Sequence, residues 1–444
     1  MFGKRYCRRL YYDEKGWVAL QQTGLPLFFH LIIEGTGDIP DKAMNNALKE
    51  VSLLYPICRS RLSGYLKNLR WEESDRYPSF IRMGSTTSPF GNWPVDEEKK
   101  VLKAELNLKK GPCLGGYSLY DGQRRRFYFK AHHSSMDGLS IHFIVKDLFR
   151  ILRGEKPMGS TEGPDTKDEL YKAILPDDFF EKRRQAALRN KDQKTNEIIE
   201  GGSSLFGGAY EGSHLISQPS KDKQMQVYTM LIPWDRISPS KLNAKMIVAI
   251  METFKKRNPD LKNKRFLAWL PVDLRKFLPG LRNASNLTGI IPIELNKYLD
   301  IPLVDRVSLM QKCILEKVND HSGVMDPAPI IDWLPVKLIS AIAFFYWKIT
   351  FYKRKFPYHF TLTNLGRNKL SEFSTKDFKA ERILTIQGFP IKVPLVALLT
   401  THDNGIELTC NTDTDKDPFA EFIDQLEEEI YSLEKQLSSR AASD

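Results

Sequence analysis

Residues 127–152 read FYFKAHHSSMDGLSIHFIVKDLFRIL. The aromatic-rich start, Phe127 to Lys130, has the composition of a strand, and Ile141, Ile144, Leu148, Ile151 and Leu152 then recur at helical spacing on one face. Between them His132-His133-Ser-Ser-Met-Asp137-Gly138 falls at a strand-to-helix turn. Neighbouring residues on an extended backbone point in different directions, so the two histidines are expected to do different jobs, one facing a cleft and the other anchoring the loop. A neutral imidazole, with an unperturbed pKa of about 6.5, accepts a proton near neutral pH once its tautomer and orientation are fixed. Three accounts of the pair stay open on these grounds: satisfied core histidines, a metal site, or catalysis. A zinc site needs further ligands, and the sequence has no HExxH and no second ligand cluster, so no metal is expected.

Outward from this stretch, FFHLIIEG (28–35) reads as a strand, and a helix begins at Asp41 with Met44, Leu48, Val51 and Leu54 on one face, ended by Pro56. The same order of elements returns later. QVYTMLIP (226–233) is a strand, Ser238 to Lys256 a helix with Leu242, Met246, Ile250 and Phe254 aligned, and FLAWLPVDLR (266–275) another strand. Phe422, Leu426, Ile430, Leu433 and Leu437 are spaced for a terminal helix against the core. Between the halves, about Arg153 to Lys223, polar helix-like text alternates with the Gly/Ser-rich 201–223, which reads as a crossover and mobile loop. The fold class is therefore α/β (α+β) in two lobes: 1–160 carrying the histidine loop, 161–224 as crossover and linker, and 225–444 as the second lobe.

The chain has 444 residues, 41% hydrophobic and 27% charged, with 25 Pro and 27 Gly, which excludes collagen-like, disordered and repetitive coiled-coil classes. Five scattered cysteines without a CxxC pair argue against a disulfide framework and favour a reducing cytoplasm. MFGKRYCRRLYYDEKGW has no apolar run behind its basic residues, so it does not resemble a secretory signal. The most apolar stretch, LISAIAFFYW (338–347), is too short to span a bilayer. The formal charge of +11 favours anionic partners. Nucleic acid is not expected, because zinc-finger spacing, an aromatic RNA-binding signature and a sustained basic helix are all missing.

Several catalytic engines lose support. There is no GxSxG elbow and no P-loop, and Gly35-Thr-Gly37-Asp-Ile-Pro40 approaches a dinucleotide fingerprint but has proline in place of its third glycine. HHSSMDG, by contrast, resembles the signature of the coenzyme A dependent acyltransferase superfamily, which includes chloramphenicol acetyltransferase, nonribosomal peptide condensation domains and standalone alcohol acyltransferases. Three further pieces fit in order: YPICRSRL (55–62) resembles the family's Pro-x-x-Arg segment, PVDLRKFLPG (271–280) its Pro-x-x-x-Arg strand, and TLTNLGR (361–367) its Ser-Asn-x-Gly crossover, with Thr363 where serine is usual. The DFGWG motif of the plant branch is absent.

The resemblance implies two chloramphenicol acetyltransferase-like lobes in a V around a central tunnel. It makes His133 the general base toward an acceptor hydroxyl or amine, and His132 a structural residue. Asp137 would pair with an arginine, for which Arg275 is the best candidate; a surface arginine after a strand is the alternative account of that residue. Gly138 would offer its backbone N–H to an oxyanion or serve only the turn, and Asn364 and Gly366 would assist the intermediate or latch the lobes. No cofactor is tightly bound on this reading: acyl-coenzyme A, or the phosphopantetheine of an acidic carrier protein acting in trans, is a co-substrate. A thioester is already activated, so the lack of a serine or cysteine nucleophile motif is consistent.

Two other readings compete. One is a catalytically silent condensation-like module that recruits a carrier-protein partner. The other adds a peripheral membrane contact through Leu338–Trp347 and the adjoining YKRK (352–355), against which a buried helix is the simpler account. His402-Asp403 belongs to a turn, because Asn404-Gly405 is a hairpin signal, and EKRRQAALRNKDQK (181–194) is a solvated helix face or a carrier-docking surface.

Overall fold

The computed structural model describes residues 5–22, 27–192, 210–211, 225–258, 261, 266–326, 330–352, 355–356, 358–388, 395–412 and 414–441. Two mixed sheets organise the chain. The first has five strands in the order Phe378–Gly388, Phe28–Gly37, Arg125–His132, Leu114–Tyr120 and Phe80–Ser85. The second has six, in the order Thr288–Glu294, Leu267–Asp273, Phe360–Arg367, Leu395–His402, Gly405–Thr412 and Gln226–Pro233. The α/β class expected from the sequence is the observed one.

Alternation explains the first sheet. Leu31 and Ile33 face the helices Asp41–Leu54 and Gly138–Leu152, whose Met44, Leu48, Val51, Ile141, Ile144 and Leu148 are all buried in the same cluster. The opposite face carries Ile32, Tyr117 and Tyr128 toward Val101 and Leu102 of the helix Asp96–Lys103. The second sheet packs on the helices Leu242–Arg257, Leu303–Asn319 and Lys416–Ala441 through Ile250, Phe254, Met310, Phe422 and Leu426.

Three local differences from the sequence reading have physical causes. The helix expected from Ser238 begins at Leu242, because Lys241 before it has φ 53 and breaks the turn. The hairpin after Leu395–His402 turns through Asp403 and Asn404, and Gly405 already pairs with His402. The strand Phe378–Gly388 comes from the last third of the sequence yet completes the first sheet, antiparallel to Phe28–Gly37. Residues 193–209 and 212–224, most of the Gly/Ser-rich segment, lie outside the described residues, as do the side chains of 186–192 and 346–357.

That strand pairing also accounts for Gly35 and Gly37. A Cβ on Gly35 would stand 2.0 Å from the Lys379 carbonyl oxygen, and one on Gly37 would stand 2.1 Å from that of Asp377. The glycines that resemble a dinucleotide loop let two backbones meet. Gly35→Ala is expected to cost about 2 kcal/mol in urea denaturation, whereas Gly91→Ala, with open space around it, stays within about 0.5 kcal/mol.

Candidate active site

The strand Arg125–His132 delivers the histidine pair at its end, where His132 lies opposite Phe28 and Ala131 opposite Phe29. The alternation of the strand then separates the two rings. His132 is sealed: its Nδ1 accepts the Ser134 N–H at 3.0 Å and lies 2.6 Å from the Ser134 hydroxyl, and Phe28 meets its ring edge-on at 5.1 Å. Burial, then the neighbouring His133 and Lys130, push its pKa down to about 3.

His133 is only half-buried. Its ring is sandwiched between Trp17, stacked at 4.3 Å and 20°, and Phe29, tilted at 4.3 Å. Its backbone is held from both sides, the N–H donating to the Leu27 carbonyl at 2.9 Å and the carbonyl accepting from the Asn286 amide. Burial pushes its pKa down to about 4, against weaker opposing pulls from its own backbone and from Asp137 and Asp13. The ring is therefore neutral at pH 7 and in the form that accepts a proton.

Asp137 caps the helix Gly138–Leu152, its Oδ1 accepting from the Ser140 N–H at 2.9 Å. It also meets Arg275 as a fork, Nη1 to Oδ2 at 2.9 Å and Nη2 to Oδ1 at 3.2 Å, and takes the Leu287 N–H at 2.9 Å. Arg275 sits in the short turn Leu274–Phe277 that follows the second sheet's strand Leu267–Asp273, and it reaches Asp273, Asn283, Ser285 and Ser140 as well. Both partners are buried. Burial alone would raise the Asp137 pKa, but Arg275 and the N–H donors outweigh it and hold the carboxyl ionised.

Gly138 opens the helix against the second lobe: an added Cβ would come within 2.8 Å of Leu365 Cδ2. Asn364 donates to Asn243 at 2.7 Å and accepts the Gly366 N–H at 2.9 Å, and Gly366 turns with φ 77. Both therefore bond within the second half. The groups that cross between halves here are Leu365 and Asn368, whose Oδ1 lies 3.2 Å from His142 Nδ1.

The sequence reading missed Trp17 and Asn286. Trp17 rides on the helix Tyr12–Gln21, in a stretch weighed only as a targeting signal, and Asn286 sits in a loop without periodicity. A buried relay joins them: Asp13 on the Trp17 helix pairs with Lys167 at 3.0 Å, and Lys167 donates to the Asn286 carbonyl at 2.8 Å. Among the described residues no three His, Cys, Asp or Glu side chains gather as a metal site.

No family model and no curated protein matches the sequence. Solved structures do match over nearly the whole chain. The epimerization domain from the third module of tyrocidine synthetase B superposes with a TM-score of 0.65 at 10% identity, covering 99% of this chain and 98% of its own. A mutant of the starter condensation domain of rhizomide synthetase, in complex with C8-CoA, gives 0.66 at 12% identity over 97% of this chain and 95% of its own. The first condensation domain of the CDA synthetase gives 0.64 at 13% identity over 97% of each chain. The fold is that of condensation domains. Domains named for condensation and for epimerization share this architecture, so fold alone leaves the reaction to the site.

Removing Asp137 takes the bidentate partner from a buried Arg275, leaving it Asp273 alone as a carboxylate, and uncaps the helix Gly138–Leu152. Asp137→Ala is expected to cost about 3–5 kcal/mol by urea denaturation. A second outcome follows from the histidines. Folded His132 and His133 titrate near 3 and near 4, and the unfolded chain near 6.5, so the unfolded state binds more protons between those values. Their contribution is complete above about pH 6.5 and is lost as pH falls toward 4, read as a declining urea midpoint.

Proposed function

We propose that the protein is an acyltransferase that moves an acyl group from a thioester, on coenzyme A or on a carrier phosphopantetheine, to a hydroxyl or amine, with His133 as the general base. The observation that carries this reading is a neutral, half-buried imidazole at the strand end, covered on both faces by aromatic rings and held at its backbone by Leu27 and Asn286. The lone pair of an imidazole nitrogen lies in the ring plane. Nδ1 is buried without a partner, so Nε2 is the nitrogen that would take the proton, approached in the ring plane beside the Trp17 and Phe29 rings.

The steps balance with this single group. His133 takes the proton of the acceptor as its oxygen or nitrogen bonds to the thioester carbon. The carbonyl π pair moves onto oxygen, and the Gly138 N–H at the helix start is the candidate donor to that charge. Collapse expels the thiolate, which takes the proton back from the imidazolium. An imidazolium of low pKa is a strong donor toward a thiolate whose conjugate acid titrates near about 8.5, so the burial that keeps the base neutral also favours its regeneration. Asp137 and Arg275 position the loop; the hydrogen bonds of Asp137 run to Ser140, Arg275, Leu287 and Thr288.

The chemistry of the neighbours supports the donor class: the rhizomide synthetase domain was solved with C8-CoA, and also with C8-CoA together with Leu-SNAC. The silent recruitment module is the competing reading, and it predicts thioester-carrier binding without turnover.

His133→Ala is expected to lower transfer by roughly 10²- to 10⁴-fold in a panel of acyl-coenzyme A donors with alcohol and amine acceptors, with an unchanged circular-dichroism spectrum. For the parent, the rate should stay level from pH 8 down to about 5 and fall with an apparent pKa near 4. Unchanged turnover in His133→Ala sinks the mechanism. Exchange of the thioester α-proton with solvent, without acyl transfer, would assign the base to epimerization instead.

A further inference from the structure

Large apolar side chains on the surface are concentrated in one place. Of the fourteen exposed large hydrophobic residues among the described ones, six fall between residues 330 and 345: Ile330, Trp333, Leu338, Ile342, Phe344 and Phe345. Trp333 and Phe345 are each 61% exposed. They lie on the short helix Ile330–Trp333 and the helix Val336–Tyr352. On the latter, Ile339, Ser340 and Ala343 face the protein, whereas Lys337, Leu338, Ala341, Ile342, Phe344 and Phe345 face out. The inward face packs on the helix Tyr12–Gln21, with Ala343 against Leu20, Leu27 and Trp17. The fold thus anchors one side of the helix and leaves a wide apolar stripe on the other.

The charges around the stripe are mostly of one sign. Exposed Lys337 stands within it, exposed Lys67 lies with its ammonium 4.4 Å over the Trp333 ring, and exposed Arg9 donates to the Lys67 carbonyl at 3.0 Å. Asp332 is the only acidic residue from 330 to 345 and is half-buried, with its carbonyl receiving Lys15 at 2.7 Å; exposed Asp168 lies near it, an acidic group set against Lys337, Lys67 and Arg9 at this edge. A groove of about 400 Å³ opens on the same face between Gln22 and Lys337, Ser340, Ala341, Phe344 and Phe345.

We propose that this face is a peripheral membrane-binding surface for anionic phospholipid, with the helix Val336–Tyr352 lying in the plane of the interface. Exposed apolar patches of this kind mark interaction sites. Aromatic and aliphatic groups bordered by lysine and arginine match the headgroup boundary, where rings enter the acyl region and cations meet phosphate. No helix among the described residues is long and apolar enough to cross a membrane, so the contact lies on the surface. A second copy of the chain fits less well, because it would set the same basic-rimmed face, with Lys67 and Lys337, against this one, whereas anionic headgroups complement it. The proposal is independent of the chemistry assigned to His133, although the same Trp17 touches both the anchored side of the helix and that ring.

The test is co-sedimentation of the full chain with vesicles of phosphatidylcholine mixed with phosphatidylglycerol, and with vesicles of phosphatidylcholine alone. The expected result is binding to the anionic vesicles, weakened by added salt. Phe344→Ser with Phe345→Ser should reduce it by at least about tenfold, with an unchanged thermal midpoint. Lys67→Glu with Lys337→Glu should abolish the preference for phosphatidylglycerol. Recovery of the chain in the supernatant with both vesicle types overturns the proposal, and so does undiminished sedimentation of the double serine variant. Equal binding to pure phosphatidylcholine overturns the headgroup chemistry. A lipid-free dimer that the serine pair dissociates gives the patch to a second copy and overturns it too.

Discussion

The structure around the histidine loop depends on one buried fork, the Asp137 carboxylate against the Arg275 guanidinium. The two residues lie 138 positions apart, on the first sheet's loop and on the turn that leaves the second sheet. Burying two charges is costly, and their attraction repays it only when the remaining lone pairs and protons are also satisfied. Here they are: Asp137 also takes Ser140 and Leu287, and Arg275 also reaches Asp273, Asn283 and Ser285. Asp137 does two jobs with one side chain, capping its own helix and gripping the other half. The position of Gly138, and with it the approach of Leu365, follows from that grip.

His133 is held by a different set of bonds, made chiefly to its backbone, with weaker contributions to the ring from its own backbone and from Asn286. Asn286 and Leu27 fix its backbone, and Lys167 with Asp13 fixes Asn286 from behind. Asp13 belongs to the helix that also supplies Trp17, so the clamp on the main chain and the cover on the ring move as one unit. This separates two requirements that conflict in a buried site. Orientation comes from polar groups on the backbone, and the low pKa comes from apolar groups around the ring.

What the sequence made legible follows the same division. The helix from Asp41, the strand Gln226–Pro233 and the helix after Asp137 carry strong periodicity, and each is present. The Asp137–Arg275 contact could be anticipated only through the resemblance of HHSSMDG and PVDLR to a known family's motifs, since no local pattern relates residues so far apart. Trp17 was hidden by context: its helix exposes little of itself, with Asp13, Glu14 and Lys15 all buried, so an amphipathic stripe is missing. Phe378–Gly388 was hidden because the pairing of a strand is set by tertiary topology, which its own alternation does not reveal. The helix Val336–Tyr352 failed the opposite way. Its apolar run reads as core, and only the packed fold reveals how much of that run faces outward.

Two adjacent imidazoles thus reach opposite ends of one scale through a backbone rule. Because consecutive side chains leave a strand on opposite faces, His132 enters the lobe and finds Ser134, whereas His133 emerges between Trp17 and Phe29. Both are neutral at pH 7 for the same reason, loss of hydration. Neutrality therefore cannot distinguish the two; access does. His132 has no exposed surface, and a group without surface cannot exchange a proton with a substrate however its pKa is tuned. His133 keeps part of its surface beside Trp17 and Phe29 while its Nδ1 is buried without a partner, so on the proposed reading Nε2 is the nitrogen left to take a proton.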